Sequence, residues 1–573
     1  MKKLFLLTLG LSAMLTLTGC EKDILDEQPE SVLVPSFLST PQGLEAGLTG
    51  SYAGLRTYYG SSEETIFMCV AGTDEFTTGI FSPSGLDDYA TGLLIPTAAA
   101  PTNVWGNLYR YVNNVNGVIQ YAASVQGLST ARIEQIKAEA KVLRAQYYFL
   151  LVQTYGDVPL MLKFVDAPTK DVVRAPQAEV YQAIIQDLTD ALGAIADKPA
   201  QPGRVTRATA LHLLAKVHLT RATHPAKQAT DYADAAKFAK ELIDNQTRYS
   251  VGLDALSAVH REGNENGKEV LMNVQFNGDA TFTQTDPFNY TGTNLFGWMW
   301  GSRYDLLPNM VRDIPNMRPY ARFCPTEYLL NSFVMPGESG PTLRSTDARF
   351  GTWWTTTYFV NRPGNNGGST AAVVGDTSVW YPGYELSAAR LAQIAARRPA
   401  PFRAIPPSQY TREFYPRMKK YDCLNRSAVN SPSTRPFIVY RLAETYLIAA
   451  EAFYYLGNTD QARDYINVIR ERAAAPGKAA DMRITAAALT PTFFLEERTR
   501  ELTGEMVRWF DLKRTGTLVS RVRSLSPAVA SRTYGVYGSA AAANIQDFHT
   551  LRPIPQQEVD RSSGKITQNM GYN

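Results

Sequence analysis

Charge is scarce in this 573-residue chain, and it nearly cancels. Asp, Glu, Lys and Arg make up 19% of the residues and the formal net charge is +3, where an ordinary domain has about a quarter charged. That balance lays down no basic footprint for a phosphate backbone, so nucleic acid is excluded as a partner. Cysteine is scarcer still. Cys20, Cys69, Cys324 and Cys423 are far apart, and with Cys20 set aside an odd number remains, which is no disulfide framework. Histidine is rare as well. His212, His218 and His224 are six apart and fall on different helix faces, and no pair among these, His260 and His549 has metal-ligand spacing. No metal or other cofactor is expected. A Gly-rich phosphate loop, a Gly-x-Ser-x-Gly elbow and a Cys-x-x-Cys pair are all missing.

What is plentiful is apolar and aromatic. Hydrophobic residues make up 45%, and 31 Tyr, 24 Phe and 7 Trp give 11% aromatics. General disorder is thereby excluded. The length suits three or four domain-sized units of about 150 residues each, or one large composite.

The N-terminus reads as a leader. Met1-Lys2-Lys3 is a basic start, and Leu4 to Thr18 is an uncharged apolar run too short to span a bilayer comfortably. Leu17-Thr18-Gly19-Cys20 resembles a bacterial lipobox, in which the Cys becomes the lipidated N-terminus. Residues 1–19 are therefore expected to be a lipoprotein signal peptide and residues 20–40 a tether lipidated at Cys20. An ordinary secretory signal with a chance cysteine is the competing reading. No other segment reaches 18 apolar residues, so the expectation is a protein anchored to a membrane, not one spanning it.

Helical periodicity begins at Thr40-Pro41, an N-cap followed by proline at the first helical position. Residues 60–101 read as loops. Helices are expected at about 105–125, 132–155, 175–196, 208–222 and 231–244, then at 441–456, 459–473 and 492–514. Residues 250–430 carry long irregular stretches, which in a packed chain are functional or disordered. In the pair at 441–473, Tyr446, Ala449, Ala450, Phe453, Gly457, Ala462, Ile466 and Ile469 fall on the tetratricopeptide spacing. Small residues there let two helices approach closely. Residues 132–196 and 208–244 read as two further hairpins. The division expected is a helical region at 41–249 and a region at 250–573 with a loop-rich insertion and the last repeat.

Several segments together resemble one family. They are Ile438-Val439-Tyr440-Arg441-Leu442-Ala443-Glu444, then Glu496-Glu497-Arg498-Thr499-Arg500-Glu501-Leu502 with Arg508-Trp509-Phe510-Asp511-Leu512-Lys513-Arg514, and Gln568-Asn569-Met570-Gly571-Tyr572 near the end. Upstream, Ala140-Lys141-Val142-Leu143-Arg144-Ala145, Gly156-Asp157-Val158-Pro159 and Asp347-Ala348-Arg349 agree. The chain resembles the SusD/RagB family of outer-membrane lipoproteins, with Met506 standing where that family often has Gly. Glu21-Lys22-Asp23 similarly resembles the export tag of surface lipoproteins in Bacteroidetes-type bacteria. The resemblance implies a mostly α, tetratricopeptide-like scaffold with a large irregular half. It also implies a nutrient-binding role, most simply for a glycan, at the cell surface beside a SusC-like TonB-dependent transporter barrel, with no chemistry on the ligand. The alternatives are a surface glycoside hydrolase and a ligand-free repeat scaffold.

Two residue patterns bear on that choice. Glu497, Glu501 and Glu505 recur one turn apart, so they point the same way and do not flank a bond as a glycosidase pair must. A ladder with Arg498 and Arg508, each three residues from a glutamate, is the simpler expectation. Arg397, Arg398, Arg403, Arg412, Arg417, Lys419 and Lys420 read as a solvated basic loop. Five of the seven tryptophans, by contrast, fall between Trp298 and Trp380 in irregular sequence. Sugars stack their apolar C–H faces on aromatic rings. Trp298, Trp300, Trp353 and Trp354, with Tyr304, Tyr358 and Trp380, are the expected ligand-binding residues, on loops 60–101 and 285–385. Asn289, Asn294 and Arg303 are polar candidates nearby, and Phe76, Phe81 and Tyr89 are the next aromatics to consider.

Overall fold

In the computed structural model, the described residues are 35–81, 85–167, 169–276, 293–398, 400–526 and 540–572. Cys20, the leader, Asn289 and Tyr290 lie outside them. Thr40 caps the first long helix as its sequence dictates. Its hydroxyl accepts a hydrogen bond from the Gly43 N–H at 3.0 Å, and Pro41 opens α1 (Pro41–Tyr58). The segment after it, expected to be loop, holds a buried helix α2 (Glu63–Val70). Ser62 caps it and two glutamates fill its first turn, a start signal hidden among the Gly and Ser residues.

The helices α3 (Ala99–Tyr121), α4 (Thr130–Tyr155), α5 (Gln177–Ala191), α6 (Arg207–Ala222), α7 (Asp231–Asp244), α8 (Leu442–Tyr455) and α9 (Thr459–Arg472) fall close to their expected places. α4 pairs with α5, α6 with α7, and α8 with α9. The third hairpin joins the row although the irregular half separates it in sequence, because α8 also packs on α7. Ala215, Ala235, Ala236, Ala239, Ala449 and Ala452 meet at that seam with Leu219 and Ile448, so small side chains allow the close approach that joins the halves.

The irregular half is held by short strands. β1 (Phe76–Thr78) pairs with β3 (Phe323–Pro325), and β2 (Val270–Val274) with β9 (Phe437–Arg441). β4 (Trp354–Thr355) pairs with β8 (Arg417–Met418), and β5 (Thr357–Phe359), β6 (Thr377–Trp380) and β7 (Arg403–Ala404) make the remaining sheet. The β2–β9 pair clamps the two ends of the irregular half, so its loops project from a fixed base.

The C-terminal motif residues have a physical job. The last four carbonyls of α4 have no partner within their own helix. Val152 O accepts from the Gly156 N–H and Thr154 O from the Arg552 N–H, while Gln153 O accepts from the Lys513 ammonium and Tyr155 O from the Asn569 amide. Gly156 turns the chain there at φ +81°.

The final helix departs from expectation. It breaks into α10 (Pro491–Leu502) and α11 (Arg508–Arg514), with Gly504 at φ +77° and Met506 at φ +59° between. Met506 thus occupies the left-handed region that glycine fills without strain. Gly504 is tied by space as well, since a Cβ there would meet Met418 Cε at 2.3 Å.

Glu497, Glu501 and Glu505 are structural, as expected, but the partners differ. Arg498 turns to Glu444 and Asp511, and Arg508 to Asp74. Glu497 keeps one partner on its own helix, Arg500 at 2.9 Å, and the three glutamates otherwise meet arginines from distant segments. Arg349 binds Glu497 and Glu501, Arg470 binds Glu497, and Arg441 binds Glu501, Glu505 and Glu269. Arg472 bridges Glu269 and Glu501. The basic stretch also needs correcting, because Arg417 and Lys420 are buried and paired with Asp422 and Glu505.

Candidate functional site

Most of the expected aromatic platform lies in the core. Trp300 is wedged among Phe76, Phe296 and Phe323 at 4.9 to 5.3 Å. Trp353 lies under the Lys420 ammonium at 3.9 Å, and Trp354 stacks on Phe350 at 5.6 Å. Tyr304 stacks on Tyr358 at 5.3 Å and donates its hydroxyl proton to Met317 O at 2.8 Å. All five are buried. The reason is packing: chain with little regular structure fills its interior with large rings, which show no face to a ligand in this conformation. Asn294 is likewise buried and bonded to Arg435 O at 3.0 Å, Arg303 pairs with Asp305, and Phe76 and Tyr89 are in the core. Trp380 is half-buried, edge-on to Tyr384. Trp298 is 8% exposed and donates its indole N–H to Ser431 O at 3.1 Å.

The surface instead carries a row that joins two aromatics already named, Phe81 and Trp298, to the Arg318-Pro319-Tyr320-Ala321-Arg322 segment, which had not been singled out. Phe81, 48% exposed, lies under the Arg322 guanidinium at 4.4 Å. Arg322 also covers Tyr320 at 3.8 Å, and Arg318 covers both Tyr320 at 4.6 Å and Trp298 at 4.3 Å. Arg318, Tyr320 and Arg322 are half-buried. The row therefore runs Phe81, Arg322, Tyr320, Arg318, Trp298, with rings and guanidiniums alternating.

Backbone pairing builds it. Past the end of β1, Gly79 N–H donates to Arg322 O at 2.8 Å and Ile80 N–H to Ala321 O at 2.9 Å, which brings Phe81 beside the Arg-x-Tyr-x-Arg segment. Gly79 is required, since a Cβ would lie 2.0 Å from Ala321 O. On the other side Ala321 N–H donates to Gly301 O and Arg322 N–H to Met299 O. Met317 and Ala321 both take positive φ, +62° and +47°, the kind of backbone strain that persists only where surroundings enforce it. The segment is thus pinned from two sides, on loops from both expected stretches. The available sequence signal was the Arg-x-Tyr-x-Arg spacing, although the chain there is no regular strand, since Tyr320 N–H bonds back to Arg318 O and Ala321 takes positive φ.

Glu497, Glu501 and Glu505 are locked among arginines. Burial alone would raise their pKa, but Arg349 at Glu497, Arg472 at Glu501 and Arg441 at Glu505 outweigh it and hold each carboxyl well below its usual range. Among the described residues no group of three His, Cys, Asp or Glu could hold a metal ion, and no helix is long and apolar enough to cross a membrane. Cys69, Cys324 and Cys423 are buried free thiols.

The family model described as SusD family matches residues 268–572, and the one described as starch-binding associating with outer membrane matches residues 23–219. The chain belongs to the SusD family. A relative from Formosa agariphila, SusD-like protein P2, is 24% identical over 98% of both chains. The starch-binding protein SusD of Bacteroides thetaiotaomicron is 24% identical over 32% of both. Among solved structures, a laminarin-binding SusD-like protein superposes with TM-score 0.66 at 23% identity, over 93% of this chain and all of that one. A SusD homologue from Bacteroides thetaiotaomicron gives 0.67 at 18% identity, over 93% of this chain and 98% of that one.

Proposed function

We propose that this protein binds a glycan at the cell surface and passes it to a SusC-like TonB-dependent barrel, held at the outer membrane by lipid on Cys20. The observation that carries the reading is the pinned row from Phe81 to Trp298. It sets aromatic rings and hydrogen-bond donors side by side on loops above a rigid helical frame. The laminarin-binding and starch-binding names of two relatives support a carbohydrate ligand. Binding without turnover fits the locking of Glu497, Glu501 and Glu505 among arginines. Trp298 and Trp380 remain contact candidates from the earlier aromatic set; the five buried rings hold the loops.

Calorimetry against a panel of neutral and acidic oligosaccharides tests this. Tyr320→Ala is expected to weaken whichever glycan binds by about tenfold, because ring contacts beyond area burial contribute roughly 0.5–1.5 kcal/mol and about 1.4 kcal/mol is a decade. Absence of binding across the panel, or unchanged affinity in the variant, would refute the site. For location and partner, the wild-type chain extracted from membranes in detergent should bring a barrel protein with it. Cys20→Ala should move to the soluble fraction; a variant that stays membrane-bound removes the case for lipidation.

A further inference from the structure

We propose that the glycan taken by this surface is anionic, a polysaccharide bearing carboxylate or sulfate groups, and that Arg318 is the residue that selects it. The inference rests on reading the Phe81–Trp298 row as the ligand surface. The first observation is what covers the rings. A neutral sugar stacks on an open π face, but here guanidiniums already lie over Tyr320, Trp298 and Phe81 at 3.8 to 4.6 Å. The surface therefore presents, beside the rings, planar cations held in place by them.

The second observation is how those cations are paired. Arg322 has a carboxylate partner in Glu63, at the start of α2. Arg318 has none. Among the described residues its side chain makes no ion pair and donates no hydrogen bond, and its only side-chain partners are the two rings. Arginines elsewhere in this chain show what a paired one looks like: Arg144 takes Asp187 with both forks at 2.7 Å, and Arg508 takes Asp74 in the same way. A half-buried guanidinium whose donors find no acceptor among the described residues is poised for a fork-shaped acceptor, and carboxylate and sulfate supply one. Ring stacking adds to this, because the guanidinium has lost much of its motion before a ligand arrives, so less freedom is lost on binding.

The third observation is rigidity underneath. Arg318 sits on backbone that cannot retreat, since its carbonyl lies 2.6 Å from where a Gly301 Cβ would be and accepts from the Tyr320 N–H at 2.9 Å. The row bears two positive charges against one negative, and the sign of that balance can be altered from either side.

The experiment is calorimetry with oligogalacturonate, oligomannuronate and a sulfated carrageenan oligosaccharide. Beside them run the carboxyl-reduced forms of the first two and neutral laminarin oligosaccharides. An acidic probe is expected to bind at least tenfold more tightly than its neutral form, and to weaken as salt rises from 0.05 to 0.5 M, since screening over roughly 10 Å sets in near 0.1 M. The carboxylate and sulfate arms tell which anion is preferred. Arg318→Gln should lower acidic-probe affinity about tenfold and abolish the preference for the acidic probe over its neutral form. Glu63→Gln should do the reverse and tighten the acidic probe, a gain that damage to the fold does not produce. Binding of neutral glycans alone, or equal loss of neutral and acidic binding in Arg318→Gln, overturns the proposal and leaves the glycan reading standing. Binding of no glycan overturns both.

Discussion

Replacing Arg441 by methionine is expected to remove about 3–5 kcal/mol of stability, the cost of stranding buried charge. Arg441 is 1% exposed and closes β9. Its guanidinium donates to Glu501 at 2.6 Å, to Glu505 at 2.8 Å, to Glu269 at 3.0 Å and to the Glu501 carbonyl at 2.6 Å. Methionine keeps the volume and leaves three carboxylates short of a cation inside the protein. Because whole domains are stable by only about 5–15 kcal/mol, such a loss shows as an early denaturant transition or failure to accumulate. Arg483→Met is the control. Its partner Glu471 is as close, at 2.6 Å, but the arginine is 62% exposed, and water screens such a pair so that it adds little to stability. If the two variants unfold alike, the network is not what couples the halves.

Acid should expose the same network in the parent. Burial pushes the Glu501 and Glu505 carboxyls up, yet Arg472 and Arg441 respectively prevail and hold both below the ordinary 4.5. A group whose folded pKa is depressed stabilises the fold above its unfolded value, and that contribution is lost as pH falls through the folded value. Stability from these two glutamates is therefore complete above about pH 4.5 and declines below it.

The helical frame was legible because it repeats. Thr40 and Pro41 set a start, Gly156 and Gly457 set stops, and Ala449, Ala450 and Ala462 set a close seam; each acts within a few residues of itself. Charges were harder to place. Glu501 could be read as structural from Glu497 and Glu505, but not as buried, and its partners Arg349, Arg441 and Arg472 lie in three other segments. Spacing along one helix offered Arg498, which the fold spends on Glu444. Aromatics were hardest, because Trp300 and Phe81 look alike in irregular sequence. Which ring is core and which is surface depends on whether backbone from elsewhere covers it, as Phe76 and Phe323 cover Trp300 and nothing covers half of Phe81. The Arg318, Tyr320, Arg322 alternation was visible in principle, but only the pairing of Gly79 and Ile80 with that segment makes it a surface.

Lys513 gives the second large effect, and it is one of pH. Its ammonium donates to Gln153 O at the end of α4, where a cation suits the helix dipole. Burial first, and the neighbouring Arg552 second, together lower its pKa from the ordinary 10.5 to about 7. No carboxylate pairs with Lys513 or Arg552 among the described residues; both lean on Trp509, at 5.6 and 4.6 Å. Between pH 7 and 10.5 the unfolded chain then holds a proton that the folded chain has released, so stability rises with pH across that window. Each unit is worth about 1.4 kcal/mol; with part of the side chain reaching solvent, a rise of about 2 kcal/mol is expected from this residue. Lys513→Met has no proton to release. It should lose the α4 cap at every pH, yet gain nothing between pH 7 and 10, so that parent and variant diverge steadily as the solution becomes more basic. Denaturant titrations at pH 7, 8.5 and 10 measure this directly, and parallel curves for the two proteins would mean that Lys513 keeps an ordinary ammonium in the folded state.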